Sequence, residues 1–362
     1  MTISPDAAVA LLLDHGVRPP EILTFAVTGG CNLACPHCWV EAGTPSSPPH
    51  VPGPTVKKVI REFALLGGKG VRFTGGEPLC HPEWLEFVVS ARTLGFSSIA
   101  LQTNGMLFTD QQIDTLRDLD FAGLSLQISL DGVSGASHDL VRGRGAFDQV
   151  MEGIHRLAAG GLGPRVTLYF TEMRHNLEEI PALLELAEEV GAGGVVTGTL
   201  VASGRGGAGS TVAAPSPEQY LNLLQRFDTD PHFRELYGKL GKVASLEWHK
   251  GGADRSEYCT FIENPYLTAR GRLYPCVLCH TDEYSVSSVF RKGLAAAYGE
   301  GAPRWRDLLE ISRTRSETLK QCHDCPGCRS CSGGCMGRAW ESCGNLLAVD
   351  DRCAVRRTIY QG

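Results

Sequence analysis

Three cysteines stand close together near the start of the chain, in the stretch CNLACPHCW that runs from Cys31 to Trp39. Cys31, Cys35 and Cys38 form a CxxxCxxC pattern. Thiolates are the ligands of iron–sulfur clusters, so this loop predicts a cube-type cluster. A structural zinc ion or a fully ligated cube needs four ligands, and the next cysteine is the distant Cys80. One iron would stay open, and an open iron can bind and activate a small molecule.

A glycine-rich turn with a single carboxylate follows the second predicted strand and reads TGGEP from Thr74 to Pro78. Glycine lets the backbone approach a ligand closely, and the Glu77 carboxylate can accept hydrogen bonds from an ammonium group. A tight strand-to-helix turn explains the same residues. The position soon after the cysteine loop favours a ligand site. Cys80, just beyond the turn, is predicted to be a small buried residue.

Small polar side chains end the next two predicted strands. Thr103 and Asn104 end the third strand, and Ser129 and Asp131 end the fourth. Because the carboxyl ends of parallel strands meet at one rim, these side chains could contact ribose or carboxylate oxygens of a ligand there. Taken singly, each stretch is also common in ordinary turns.

Strands and helices alternate through the first two thirds of the chain. Strands are predicted at 22–27, 70–74, 98–103, 123–129, 166–170 and 194–201, and helices at 55–66, 82–94, 110–118, 147–159 and 177–190. This alternation predicts an α/β fold with parallel strands and right-handed crossovers. The cysteine loop then lies at the carboxyl end of the first strand, where barrels of this kind carry their chemistry. The glycine-rich stretch from Ser203 to Ser210 is predicted to be a mobile loop.

Composition bounds the compartment and the partners. Lys+Arg 34 against Asp+Glu 40 gives a net charge of −6, which argues against nucleic acid as the main partner. No apolar run has membrane-spanning length, and no secretion signal precedes the apolar residues 7–13. Fourteen cysteines without an export signal predict a reducing, cytoplasmic compartment and metal ligation rather than disulfides.

The cysteine loop, its aromatic neighbour and the turns, in this order, resemble the radical S-adenosylmethionine (radical SAM) enzymes over residues 21–210. The resemblance implies a partial (β/α)6 TIM-like barrel whose open iron chelates the methionyl amine and carboxylate. It implies that the catalytic cluster is held by Cys31, Cys35 and Cys38. The cofactor contacts that it implies are Trp39, Gly75, Gly76, Glu77, Thr103, Asn104, Ser129, Asp131 and Arg142. For Arg142, a solvated loop charge is the open alternative.

Ten of the fourteen cysteines lie between Cys259 and Cys353, and four of them form a Cx2Cx5Cx3C core. With an upstream Gly-x4-Cys element, this tail resembles the SPASM domain, which holds two auxiliary [4Fe–4S] clusters. The resemblance implies a first auxiliary cluster on Cys259, Cys276 and Cys335, and a second on Cys322, Cys325, Cys331 and Cys353. Zinc knuckles are the alternative.

The tail departs from its relatives in two ways. No cysteine follows Cys259 within several residues, so either Cys279 supplies the fourth ligand of the first auxiliary cluster or one iron is open. Val277 stands where sulfatase-maturing relatives place a general-base Asp, which argues against that activity. Cys328 and Cys343 fall in gaps of the pattern and are predicted to be spare thiols.

The predicted organisation is an N-terminal arm (1–20), the radical SAM barrel (21–210), a bridging region (211–250) and a small cysteine-rich SPASM domain (251–362). The resemblance implies reductive cleavage of S-adenosylmethionine to a 5′-deoxyadenosyl radical that abstracts a substrate hydrogen. Three [4Fe–4S] clusters and a reductant such as ferredoxin or flavodoxin are implied with it.

The expected substrate is a ribosomally made peptide or protein, because most relatives with such a tail are peptide maturases. About twenty residues precede the first strand, too few for a leader-binding module, so a separate peptide-recognition protein or direct binding at the barrel mouth is expected. A tetrapyrrole side chain or a small metabolite is the alternative substrate. A non-catalytic multi-cluster electron-transfer protein is the alternative from another class.

Overall fold

The structure is a computed structural model that describes residues 3–40, 42–44, 46–207, 209–250, 259 and 261–361. Its strands are β1 (Ile22–Thr28), β2 (Gly70–Gly75), β3 (Ser98–Thr103), β4 (Leu124–Ser129), β5 (Val166–Glu172), β6 (Gly194–Thr199), β7 (Gly241–Lys242), β8 (Tyr266–Leu267) and β9 (Leu273–Tyr274). Within the described residues they form one nine-stranded sheet in the order β7-β6-β5-β4-β3-β2-β1-β8-β9. The predicted α/β partial barrel is confirmed.

Parallel pairing dominates the sheet. The pairs β1–β2, β2–β3, β4–β5, β5–β6, β6–β7 and β1–β8 are parallel, whereas β8–β9 is antiparallel. Leu23, Phe25 and Val27 of β1 are fully buried, and Thr24 and Ala26 between them are nearly so. Burial on both faces is what a parallel sheet covered by helices requires, and it explains why β1 is mostly apolar, with only threonines as its polar residues.

The helices of the described residues separate the strands as far as β8, and those after β9 follow one another with no strand between them. They are α1 (Pro5–Asp14), α2 (Gly53–Leu65), α3 (Trp84–Thr93), α4 (Asp110–Asp118), α5 (Gly135–Arg142), α6 (Ala146–Ala159), α7 (Ile180–Glu189), α8 (Pro217–Thr229), α9 (Pro231–Leu240), α10 (Ala244–His249), α11 (Val289–Lys292), α12 (Leu294–Thr318), α13 (Lys320–His323), α14 (Cys328–Cys331), α15 (Met336–Cys343) and α16 (Cys353–Gln361). The five predicted helices are all present, and α5 was not predicted. The part of the chain that the structure describes has no helix long and apolar enough to span a membrane.

The chain divides into two compact units. The first comprises Met1–Gly30, Pro45–Leu101 and Asp254–Asp351, and the second comprises Cys31–Thr44, Gln102–Ala253 and Arg352–Gly362. Each unit combines stretches that are distant in sequence. The domain boundaries given above therefore stay a prediction.

The first unit contains β1, β2, β8 and β9 with the cysteine-rich helices. Helix α2 buries Val56, Val59, Ile60 and Phe63 at helical spacing, so one stripe of the helix faces the core. The long helix α12 buries Trp305, whose indole N–H donates to the carbonyl of Tyr284 over 2.9 Å. Burial of such large side chains gives this unit a core of its own.

The second unit contains β4 to β7, helices α4 to α10, α16 and the cysteine loop. Capping boxes begin two of its helices, with Thr109 and Gln112 at α4 and Ser216 and Gln219 at α8. The fully buried Glu172 ends β5 and accepts hydrogen bonds from Thr197 Oγ1 at 2.6 Å and the Tyr220 hydroxyl at 2.9 Å. Burial raises the pKa of Glu172, and these two hydroxyls act in the opposite direction.

Candidate cluster and cofactor site

The cysteine loop follows β1 and is held by its own backbone. Cys35 is buried, whereas Cys31 and Cys38 are half-buried. The amide of Leu33 donates to Cys31 Sγ and the amide of Ala42 to Cys38 Sγ, both over 3.4 Å. Amides that point at sulfur favour the thiolate, which is the form that binds iron. The donor set therefore fits an iron–sulfur cluster.

A buried ion pair lies beside this loop. Nε and Nη2 of Arg142 each lie 2.7 Å from Oδ2 of Asp131, and Nε2 of His37 lies 3.3 Å from the same oxygen. The side chain of Asp131 is fully buried and that of Arg142 is 12 % exposed. The amide of Thr171 donates to Asp131 Oδ1 over 2.8 Å. One carboxylate thus joins the cysteine loop, the end of α5 and β5.

Burial and neighbouring charges set the pKa values of Asp131 and Cys35 in opposite directions. Burial alone would raise the pKa of Asp131, but the Arg142 guanidinium and the His37 ring hold it well below its usual range. Burial raises the pKa of the Cys35 thiol, and the Arg142 cation acts in the opposite direction. A cation beside the cysteine loop stabilises thiolates and other anions there.

His138 accepts a hydrogen bond at Nδ1 from the amide of Asp131 over 3.1 Å, so its proton is on Nε2. Burial, followed by the Arg142 charge, lowers the pKa of His138 to about 4. The ring is therefore neutral near pH 7, and it positions the turn that carries Asp131.

The glycine-rich stretch packs against the cysteine loop. Arg205 donates from Nε to the carbonyl of Cys35 and from Nη1 to the carbonyl of Ala42, each over 2.9 Å. Its amide donates to the carbonyl of Cys38 over 3.0 Å. Gly204 has φ +55°, and a Cβ there would lie 2.6 Å from the Cys38 carbonyl oxygen. The predicted mobile loop is instead tied to the cysteine loop by these bonds.

Other predicted cofactor contacts also lie in the second unit. Asn104 donates from Nδ2 to Oδ1 of Asn32, inside the cysteine loop, over 2.7 Å. Thr103 accepts from the amide of Gly105 over 3.1 Å, so both residues shape the turn after β3. Ser129 and Trp39 are half-buried. Their contacts with a cofactor stay predictions.

The GGEP turn lies in the first unit and fits tightly against the residues after β1. A Cβ on Gly75 would lie 2.1 Å from the Thr28 carbonyl oxygen, and one on Gly76 2.1 Å from that of Gly30. The amide of Glu77 donates to the Gly30 carbonyl over 2.8 Å. Its side chain is 1 % exposed, and Oε1 accepts from the amide of Leu79 over 3.0 Å. The glycines are thus required by close backbone packing.

Four thiols of the tail lie near one another in the first unit. Burial raises the pKa of Cys276 well above its usual value, and the neighbouring thiols of Cys335, Cys279 and Cys259 raise it further. A Cβ on Gly337 would lie 2.1 Å from the Leu278 carbonyl oxygen and 2.8 Å from the Cys279 amide nitrogen. The segment that begins at Cys335 therefore packs directly on the turn between Cys276 and Cys279.

The remaining cysteines of the core lie on the one-turn helices α13 and α14 and on the turns beside them. The amide of Cys325 donates to the Cys322 carbonyl over 3.2 Å, and the amide of Gly334 donates to that of Cys331 over 3.0 Å. Cys353 begins α16 and belongs to the second unit. Among the described residues, no three His, Cys, Asp or Glu side chains are grouped tightly enough for a single metal ion. A cube spreads its ligands over four irons, so its thiolates need not meet at one point.

Comparisons with known proteins agree with this fold. Residues 25–187 match the family described as the Radical SAM superfamily. A GTP 3′,8-cyclase of Chlorobaculum tepidum is 33% identical over 87% of this chain and 94% of its own length. An AdoMet-dependent heme synthase of Methanosarcina barkeri is 28% identical over 93% of this chain and 97% of its own length. The mycofactocin maturase MftC of Mycobacterium tuberculosis is 28% identical over 97% and 87%.

Two solved structures share the fold. Native anSMEcpe with bound AdoMet has a TM-score of 0.74 at 15% identity, covering 94% of this chain and 96% of its own. Streptococcus suis SuiB bound to S-adenosylmethionine has a TM-score of 0.70 at 16% identity, covering 96% of this chain and 80% of its own. The sheet and these matches define a partial-barrel α/β fold.

The chain belongs to the radical SAM superfamily, and it is a radical SAM enzyme whose cofactors are S-adenosylmethionine and a [4Fe–4S] cluster. The resemblance to radical SAM enzymes with a SPASM extension is confirmed, rather than the electron-transfer alternative.

The sequence did not point to three residues that the structure places at the site. Arg205 contacts the cysteine loop, Asn32 belongs to it, and His37 pairs with Asp131. His37 lies inside the cysteine motif, so the sequence offered a signal for it. No sequence pattern links residue 205 to residue 35. The assigned roles of the predicted cluster and cofactor residues stay proposals.

Proposed function

We propose that this radical SAM enzyme modifies a side chain of a ribosomally made peptide or protein. The relation to the mycofactocin maturase, which spans 97% of this chain, carries the proposal. A solved structure of the same fold, SuiB, is bound to its precursor peptide SuiA. A reductant such as ferredoxin or flavodoxin would supply the electron, and a separate recognition protein or the barrel mouth would bind the peptide.

The residues of the second unit have distinct proposed roles at the barrel cluster. Cys31, Cys35 and Cys38 bind three irons, and the amides that donate to Cys31 and Cys38 stabilise the thiolates. When bound, the cluster and S-adenosylmethionine supply a 5′-deoxyadenosyl radical that removes a substrate hydrogen. Arg142 uses Nε and Nη2 to bind Asp131, and we assign Nη1 to the cofactor carboxylate.

We assign Glu77 to the methionyl amine in the first unit. Its Oε1 caps the turn after β2, so the carboxylate is held in a fixed orientation. A carboxylate that binds an ammonium group forms charge-assisted hydrogen bonds, which are among the strong polar contacts in proteins. Trp39, Gly75, Gly76, Thr103, Asn104, Ser129 and Asp131 complete the proposed cofactor site.

Two auxiliary clusters are proposed in the tail. For the first, the mutual proximity of four thiols supports ligation by Cys259, Cys276, Cys279 and Cys335, with no open iron. Cys279 is 2 % exposed and forms a CxxC turn with Cys276, whose Sγ accepts from the amide of Leu278 over 3.2 Å. For the second, the proposed ligands are those of the sequence pattern, namely Cys322, Cys325, Cys331 and Cys353.

Iron content tests the three clusters. Anaerobic reconstitution should give about twelve irons and twelve sulfides per chain, and the triple variant Cys31→Ala/Cys35→Ala/Cys38→Ala should lose about four of each. Zinc without acid-labile sulfide would refute the auxiliary clusters. Unchanged iron in the triple variant would refute the barrel assignment.

A tetrapyrrole is the second candidate substrate, because the heme synthase relative spans 93% of this chain. Reconstituted enzyme, dithionite and S-adenosylmethionine are incubated with peptides encoded beside the gene and, separately, with haem precursors. We expect peptide-dependent release of 5′-deoxyadenosine and a matching mass change in the peptide. Turnover of a haem precursor with none of any peptide would replace our proposal by the second candidate.

A further inference from the structure

A buried arginine lies among the cysteines of the tail. Arg315 occupies the last turn of α12 and is 1 % exposed. Its Nη2 donates to the carbonyls of Gly333 and Ala348, over 2.7 and 2.8 Å. Within the described residues, Nε and Nη1 are buried and have no hydrogen-bond partner.

A guanidinium buried in this way needs a counter-charge. Burial of an unpaired ion costs several kcal/mol, so buried charges in proteins are paired or bind a charged group. The buried carboxylate of Asp350 lies close enough to favour the charged form of Arg315, and its Oδ2 accepts from the amide of Cys335 over 2.7 Å. The carbonyl groups that Nη2 contacts carry no net charge. Among the described residues, the partners of Arg315 therefore leave the buried donors Nε and Nη1 unsatisfied.

The position of Arg315 indicates where acceptors for these two donors would lie. Its partner Gly333 stands between Cys331 and Cys335 in the sequence, and a Cβ on Gly333 would lie 3.0 Å from Arg315 Cβ. In the ligand sets proposed above, Cys331 and Cys335 bind different auxiliary clusters. The thiols of Cys335, Cys322 and Cys331 are close enough to affect the ionisation of Arg315. The guanidinium thus lies beside both ligand sets.

We propose that Arg315 is a shared cationic neighbour of the two auxiliary clusters, donating hydrogen bonds from Nε and Nη1 to their sulfur atoms. A thiolate-ligated cluster is anionic and gains a further negative charge on reduction. Hydrogen bonds to sulfur and nearby positive charge therefore raise its reduction potential. Arg315 sets the potentials of both clusters together. This inference rests on the auxiliary clusters of the proposed function.

The test uses the full chain with Cys31→Ala/Cys35→Ala/Cys38→Ala, so that only auxiliary clusters contribute to the spectra. Redox titration followed by electron paramagnetic resonance compares this background with added Arg315→Gln or Arg315→Lys. Loss of the cation should lower the potentials, with the reduction equilibrium shifted at least about tenfold, or about 59 mV for one electron. Lys keeps the positive charge but lacks the planar guanidinium with its several donors, so the potentials should shift less in Arg315→Lys than in Arg315→Gln.

Arg313→Gln is the matched control, because Arg313 lies on the same helix with its side chain 42% exposed and paired with Glu310. It should leave the potentials unchanged. Cluster retention with unchanged potentials in Arg315→Gln would overturn this inference alone. A background without iron and sulfide would overturn the auxiliary clusters and this inference with them.

A second measurement does not depend on the stability of Arg315→Gln. In the same background labelled with arginine that carries ¹⁵N only in its guanidinium group, reduced clusters should show nitrogen hyperfine coupling by electron–nuclear double resonance. This label leaves the backbone amide of Arg338, which donates to Cys335, unlabelled. The coupling should disappear in labelled Arg315→Lys. Its absence from the labelled background would refute the hydrogen bonds from Nε and Nη1.

Discussion

Arg205 donates a hydrogen bond from Nε to the backbone carbonyl of Cys35, 2.9 Å away and 170 residues earlier in the chain. The same side chain binds the carbonyl of Ala42, and its own amide binds that of Cys38. One residue of the glycine-rich stretch thus fixes both the middle and the end of the cysteine loop. The loop conformation depends on a contact outside the cysteine motif.

Arg205→Ala should weaken binding of the barrel cluster. The change removes two charge-assisted hydrogen bonds, each contributing about 1.5–3 kcal/mol. We expect barrel-cluster occupancy and 5′-deoxyadenosine release to fall at least tenfold, with auxiliary iron retained. Arg144→Ala is the control, because Arg144 is an exposed loop arginine of the same unit. Equal iron content and activity in both variants would contradict a role for Arg205.

Cys279→Ala should destroy or convert the first auxiliary cluster. Removal of the fourth thiolate should lower the iron content by up to about four per chain or leave a three-iron species. Iron and sulfide analysis with electron paramagnetic resonance measures both results. Cys343→Ala is the control, because Cys343 is exposed and its thiol donates to the Ala339 and Asn345 carbonyls. An unchanged spectrum in Cys279→Ala would favour the open iron.

Gly337→Ala should damage the same cluster with every cysteine still present. Its Cβ would lie 2.1 Å from the Leu278 carbonyl oxygen, so the segment after Cys335 must move away from the Cys276–Cys279 turn. Gly238→Ala is the matched control, since nothing lies within 4 Å of a Cβ there. Because Gly238 lies inside α9, that change should stabilise the protein by up to about 1 kcal/mol. Normal cluster spectra in Gly337→Ala would contradict the packing argument.

Glu77→Gln should weaken binding of S-adenosylmethionine about ten- to a hundred-fold, because a charge-assisted hydrogen bond contributes about 1.5–3 kcal/mol. Gln keeps an oxygen that can accept from the amide of Leu79, so the turn itself should persist. Isothermal titration calorimetry on reconstituted protein measures the affinity. Glu86→Gln, at a carboxylate 62% exposed, should bind the cofactor normally. Normal affinity in Glu77→Gln would remove Glu77 from the cofactor site.

Acidification should destabilise the protein partly through His138. Its folded pKa is lowered to about 4, so the unfolded chain binds more protons between about pH 6.5 and 4. Stability therefore falls as the pH falls through this window, by about 2 kcal/mol from this ring between pH 6.5 and 5. Anaerobic unfolding at pH 7 and pH 5 should show a smaller loss for His138→Gln than for the wild type. His155→Gln, at an exposed ring, should lose as much as the wild type.

Local sequence patterns predicted the six long strands and the helices between them, because the apolar periodicity within each segment determines these elements. The six predicted strands are present, and β3 has the predicted limits of 98–103. The strand β5 runs two residues beyond the prediction, to Glu172, because its last residues pair with β6 and the hydroxyls of Thr197 and Tyr220 donate to the buried Glu172 carboxylate. Two-residue strands such as β7 leave no periodic signal and were not predicted.

The candidate site was predictable only as far as motifs extend. Asp131 and Arg142 were both predicted as cofactor contacts, but their pairing was not visible, because α5 has to fold before the two side chains meet. The contact of Arg205 with Cys35 is a long-range packing result. Arg315 looked like one charge among many on α12, and only burial distinguishes it.

The contacts between the glycine-rich stretch and the cysteine loop limit attempts to change the substrate range of this enzyme. Directed-evolution libraries commonly randomise such stretches as if they were free to vary. Here side chains at Gly204 and Gly206 would collide with backbone carbonyls of residues 38 and 201, and Arg205 is needed by the cysteine loop. Most members of a library at these three codons would therefore lose the iron centre before their substrate range could be screened. A useful library keeps these three codons fixed and diversifies Ser203, at the start of the stretch, and Thr211, directly after its end.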